Sequence, residues 1–175
     1  MLTAIATLFI RQAERRLGVT LDYVRQIART DFKLLARYNR IFGFLDPNRH
    51  VAPAAYHAAR LRGALAADCG TCAEAEVNLA AAAGLDQPLI AAILRADGAA
   101  LPPDLAAVVR LTDAVTARRE DDPGARGDVL RSFGEAGLIE LSFAMNGAAM
   151  LPGIKRAMGH ATACDLSLMR RLSRG

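Results

Sequence analysis

Asp68-Cys69-Gly70-Thr71-Cys72-Ala73-Glu74-Ala75-Glu76, running on through Val77, Leu79 and a tract of alanines to Gly84, decides the fold. The stretch reads as a helix that opens at the cysteines and stops at the glycine. Positions i, i+3 and i+4 of a helix share a face, so Cys69, Cys72 and Glu76 line one stripe. Alanine on successive turns beyond them lets neighbouring helices approach closely. Two thiols at this spacing can close a small disulfide ring, bind a soft metal as half a site, or cycle between dithiol and disulfide.

Upstream, Pro53 sits at the start of a helix, where its missing N–H costs nothing. That helix carries His57, Leu61 and Leu65 and ends near Asp68. Further back, residues 1–17 form a helix closed by Gly18 as a left-handed cap. Thr20 opens a longer one whose apolar positions Leu21, Val24, Ala28, Phe32, Leu35, Tyr38 and Phe42 step by three and four. Downstream, Asp86-Gln87-Pro88 starts a fifth helix, residues 97–103 form a loop, and Asp104 caps a sixth. A polar loop at 120–124 precedes a short helix around Val129 and Phe133. The next helix, from Leu138 to Ala149, stops at Pro152-Gly153, and a last one starts at Ile154 and ends among Arg170, Arg171 and Arg174. No segment alternates apolar and polar residues long enough for a strand. The expectation is one all-α domain over residues 1–175, a compact multi-helix bundle.

Composition agrees with that reading. The chain has 53% hydrophobic residues, 5% aromatics and no Trp, a profile of close-packed helices and not of a sheet. The net charge of +4 comes almost wholly from arginines, Lys33 and Lys155 being the exceptions. These arginines are scattered over every expected helix as solvated faces, which argues against a nucleic-acid partner. Three cysteines, an odd count, argue against a secreted disulfide framework. Residues 1–10 lack a basic start and a cleavage site, so they read as an amphipathic helix and not a signal peptide. No apolar run approaches the length that crosses a bilayer. The expected setting is cytoplasmic, without membrane contact.

A thiol must become a thiolate before it attacks. The N-terminal end of a helix favours that charge, and His57 can take a thiol proton or stand charged beside the sulfur. A bare Glu76 would oppose the thiolate, but paired with His57 it would make the imidazole a stronger base. The expected site is therefore a relay: Glu76 orients His57, and His57 serves a sulfur. Zinc is not expected, because four ligands would need His57 and Glu76 together in a tetrahedron. No Gly-rich phosphate loop is present, so no nucleotide or flavin is implied. His50 lies in a linker, His160 and Cys164 on the last helix, all three as surface or packing residues.

The run from His57 to Leu85 resembles the central motif of the alkyl hydroperoxidase D and carboxymuconolactone decarboxylase family. That motif has an acidic residue, C-x-x-C twelve residues on, a histidine four beyond the second cysteine and a glycine eight beyond that. Cys69, Cys72 and Gly84 fall on those positions, and residues 133–141 are similar to the family's second-half helix. The likeness covers residues 50–160 and leaves residues 1–46 as an N-terminal helical extension. His57 stands where the family has its acid and Glu76 where it has its histidine, so the two groups are exchanged. The resemblance implies Cys72 as the peroxidatic sulfur and Cys69 as the resolving one. It implies a thiol-dependent peroxidase or disulfide reductase that takes a peroxide or disulfide substrate and an external thiol or protein reductant, as a homo-oligomer without metal or cofactor. A lactone decarboxylase-like acid/base enzyme and a non-catalytic oligomeric scaffold are the alternatives.

Overall fold

A computed structural model describes residues 2–45 and 50–161, and every regular element among them is helical. The order is α1 (Leu2–Leu17), α2 (Asp22–Thr30), α3 (Phe32–Asn39), a 3₁₀ turn at Arg40–Leu45, α4 (Pro53–Ala66), α5 (Gly70–Ala82), α6 (Gln87–Arg95), α7 (Pro103–Thr112) and α8 (Pro123–Ala157). Asp113–Arg118 prolongs α7 as a wider π-type turn. The chain is an all-α bundle.

α4 is its axis. Ala55, Ala58, Ala59, Leu61 and Ala64 are buried around almost its whole circumference, and α5, α6, α7 and α8 pack against it. Small side chains set the spacing. Gly63 faces the Met145 carbonyl of α8 so closely that an added Cβ would overlap it. Gly63→Ala must push two helices apart and is expected to cost about 1–3 kcal/mol, the range of an overpacked core. Thermal denaturation would read the cost, and an unchanged midpoint would mean that the α4–α8 crossing has slack. Leu61, Ile90, Ile93, Val108, Val129, Leu141 and Met145 fill the core around this crossing.

A second apolar cluster joins the N-terminal helices. Ala6 and Ile10 of α1, Tyr23 and Val24 of α2, and Leu35 and Tyr38 of α3 pack together, with Leu151 of α8 and Met158 just beyond it. Gly18 ends α1 with φ +70°, as its capping role requires, and its N–H donates to the Glu14 carbonyl at 2.8 Å. Asn78 of α5 donates to the Leu17 carbonyl at 2.8 Å, and a Cβ on Gly18 would strike its side chain. Arg25 of α2 is ion-paired with Glu14.

Several boundaries differ from those read in the sequence. The long second helix is two, broken at extended Asp31, whose carboxylate accepts from Lys33 N–H at 2.7 Å and caps α3. A short acidic side chain competes for backbone N–H groups and so favours a cap over a helix interior. Thr20 does not cap α2; the Leu21 N–H finds Glu14 Oε1 at 2.8 Å instead. Pro102, not Asp104, occupies the cap of α7. The short helix around Val129 does part from the one at Leu138, at a non-helical kink at Gly134 (φ 69°, ψ −178°) inside α8, but the helices expected from Leu138 and from Ile154 are one, continuing through Pro152 to Ala157. Burial of Pro152 and Lys155 on the inward side carries the helix past a residue that normally ends one. α8 is long and apolar enough to cross a membrane by length and composition alone, contrary to the sequence expectation. Its inward stripe of Ala125, Val129, Leu141, Ala144, Met145 and Ala148 is core. Cys164 and the rest of the expected last helix lie outside the described residues.

Candidate functional site

The turn between α4 and α5 places the sulfurs. Asp68 adopts φ +49°, a left-handed conformation that Asp tolerates better than most residues. Cys69 follows in extended backbone as the cap residue of α5. Arg156, at the end of α8, donates one nitrogen to the Ala67 and Asp68 carbonyls at 2.8 and 2.7 Å, giving partners to carbonyls at the end of α4. Cys69 is fully buried, and Cys72, one turn into α5, is half-buried. No disulfide joins them; their Sγ atoms are 2.7 Å apart, Cys69 donating to Cys72. A disulfide needs about 2.05 Å, a closure that small side-chain motion supplies.

Cys72 opens on a cavity of about 1200 Å³. α5 lines one side through Thr71, Cys72, Ala75, Glu76 and Leu79; the N-terminal helices face it with Ile10, Val24 and Leu35, and α8 adds Leu151 and Lys155. His57, Arg60, Tyr23 and Tyr38 add polar groups to the wall, as do Arg16, Thr20 and Asn39 of the N-terminal segment.

The expected relay is not formed. Glu76 is 5% exposed and gives both carboxylate oxygens to Arg60, Oε2 to Nε at 2.8 Å and Oε1 to Nη2 at 2.7 Å. This two-bonded fork is the geometry a guanidinium prefers with a carboxylate. The remaining Nη1 of Arg60 donates to the Tyr56 hydroxyl at 3.1 Å, which donates to the Leu45 carbonyl at 2.8 Å. Burial works against the Arg60 charge, but Glu76 outweighs it and pushes the guanidinium further up. An arginine expected on a solvated face is thus a buried partner, and Glu76 has none of its bonds left on His57.

His57 reaches the same cavity without a hydrogen bond to either sulfur or to Glu76. Its Nδ1 is buried and has no partner, and its ring meets Tyr56 edge-on with centroids 5.4 Å apart. Burial first, and the Arg60 charge second, pull its pKa down to about 4. The imidazole is neutral at physiological pH. Because the folded value lies below the ordinary 6.5, the unfolded chain binds more protons between these limits, and stability falls as pH drops from 6.5 toward 4. His57→Phe should flatten that slope. Urea denaturation of both chains at pH 7 and pH 4.5 is the measurement, and equal slopes would remove the buried neutral imidazole as its cause.

Lys155 and the tyrosine pair were not read as site residues. Lys155 is 5% exposed, with Nζ 5.8 Å from the centre of the Tyr23 ring. The Tyr23 and Tyr38 hydroxyls are hydrogen-bonded at 2.6 Å, and burial raises both above the ordinary phenol value. The Cys72 thiol is pushed up by its hydrogen bond with Cys69, then by burial; the Lys155 ammonium pulls it down. The two sulfurs therefore give up one proton far more readily than two. His160 bonds Gln26 through Nε2 at 2.6 Å, away from the sulfurs, and the His50 N–H donates to Glu140 at 2.9 Å. Among the described residues no three His, Cys, Asp or Glu side chains cluster as metal ligands.

Compared with protein-family models, with curated proteins and with solved structures, the chain matches none.

Proposed function

We propose that this chain is a CxxC-dependent thiol oxidoreductase that reduces an organic hydroperoxide, on a bundle of the alkyl hydroperoxidase D type. The supporting observation is the pair of sulfurs 2.7 Å apart, not joined in a disulfide, one opening on a large cavity and the other sealed behind it. Cys72 is the sulfur a substrate can reach. As a thiolate it attacks the outer peroxide oxygen; the O–O bond breaks, Cys72 becomes a sulfenic acid, and the alkoxide leaves as alcohol with the proton Cys72 gave up. Cys69 then attacks the Cys72 sulfur, the S–O bond breaks, and the hydroxyl departs as water with the Cys69 proton. An external dithiol returns the disulfide to two thiols by exchange.

The activating charge is Lys155 together with the N-terminal turn of α5, in place of the histidine–carboxylate relay. Glu76 and Arg60 hold α4 and α5 in register under the sulfurs. A homo-oligomer belongs to the same proposal; exposed Phe44, Ile139, Phe143 and Met150 supply apolar surface for it.

The test counts thiols before and after one equivalent of tert-butyl hydroperoxide. Loss of two thiols per chain, both in the peptide that holds residues 69 and 72, is the expected result. Loss of none would leave the scaffold alternative standing, and turnover of a lactone without thiol loss would favour the acid/base enzyme.

A further inference from the structure

The cavity carries a charge that nothing around it balances. Arg60 is matched by Glu76, and His57 is neutral. Lys155 is buried, yet among the described residues its ammonium has no carboxylate within ion-pair reach and no hydrogen-bond acceptor, only the Tyr23 ring. A buried ammonium is costly to hold unless an anion meets it. It acts on the Cys72 thiol, which places the charge near the start of α5.

From there the cavity follows the helix. Its lining on α5 runs from Thr71 through Cys72, Ala75 and Leu79 to Ala83. At about 1.5 Å per residue, this interval spans roughly 18 Å. Ile10, Val24 and Leu35 supply an apolar opposite wall. The space is long and mostly greasy, with the buried Lys155 ammonium near the start of α5; the exposed Arg16 of α1 is a further cation on its lining.

We propose that this cavity binds a long-chain carboxylate, a fatty-acid-like monoanion, with its head on the Lys155 ammonium and its chain laid along α5 toward Ala83. The chain replaces water along the apolar walls, and the head supplies the counter-charge that Lys155 lacks. Binding needs no sulfur, so the inference stands apart from the thiol chemistry.

The full-length Cys72→Ser chain is the protein to use, titrated by calorimetry with dodecanoate, octanoate and dodecanol. Saturable binding of one dodecanoate per chain is expected. Dodecanol, with the same chain and no charge, should bind at least about tenfold more weakly, and octanoate should lose about fourfold for each methylene removed. Lys155→Met in that background should erase the preference of dodecanoate over dodecanol, and Lys155→Arg should keep it. Equal affinity for dodecanol and dodecanoate in the parent chain would overturn the proposal, whatever the fate of the Lys155→Met variant. So would affinity that does not change with chain length. Neither result touches the thiol-count experiment, so the two readings fail separately.

Discussion

Cys72→Ser is expected to bring hydroperoxide turnover down by on the order of 10³-fold or more, to the uncatalysed background. Cys69→Ser is expected to behave differently. Cys72 opens on the cavity while Cys69 is sealed beneath it, so a chain with only Cys72 still has the sulfur that meets peroxide. It should react once and stop, holding a sulfenic acid that dimedone traps at Cys72. Cys72→Ser leaves a sulfur that substrate does not reach, and no adduct should form. The two variants thus separate attack from resolution, using mass spectrometry of the dimedone adduct beside the turnover assay. A dimedone adduct on Cys69 in the Cys72→Ser chain would reverse the two roles. Turnover that survives Cys72→Ser would remove the peroxidase reading.

Glu76→Gln should be the most destabilising of the exchanges considered, by about 3–5 kcal/mol. It leaves the Arg60 guanidinium, 9% exposed, with an amide oxygen and the Tyr56 hydroxyl as acceptors but no opposing charge, and an unmatched buried charge costs that much. In a domain of this length each kcal/mol moves the melting midpoint by about 2–4 °C, so a fall on the order of 10 °C is expected. The paired replacement Arg60→Met with Glu76→Leu removes both charges and keeps apolar volume. Its cost should be far smaller, because neither desolvation nor an orphaned charge remains. Urea unfolding of Arg60→Met, of Glu76→Leu and of the double variant measures the difference. If the double variant loses as much as the sum of the singles, the ion pair is not what makes Glu76→Gln costly.

The helical character of the chain was legible because its apolar positions recur at helical spacing, and Pro53, Gly18 and Gly84 mark ends by local chemistry alone. The cysteine geometry was legible for the same reason: three residues separate the sulfurs, and any helix start there brings them together. The Asp31 break was not, since Ala28 to Phe32 keeps the helical step while the carboxylate takes the backbone N–H. Nor was the passage of α8 through Pro152, which depends on what packs against it. Because a stop was expected at Pro152-Gly153, Lys155 was assigned to a separate helix and no face could be given to it. The Arg60–Glu76 pair did leave a signal. Arg60 sits among Ala58, Ala59 and Leu61, and Glu76 between Ala75 and Val77. Both helices are mostly apolar and offer few solvated faces for a charge, so each of these two charges calls for the other. His57 was the nearer candidate in the sequence reading, and only the packing of α4 against α5 decides between them.

Lys155 and Arg156 are consecutive, yet they act on different faces of α8: one enters the cavity and the other grips the turn before Cys69. Each helical residue turns the next by about 100°. Deleting a single residue between Met145 and Leu151 would therefore swing both side chains off their targets in one stroke, ungripping the turn and moving the cation away from the sulfur. The phase of this one helix sets the alignment of the whole centre, so a length change there is far less forgiving than any exchange of side chain.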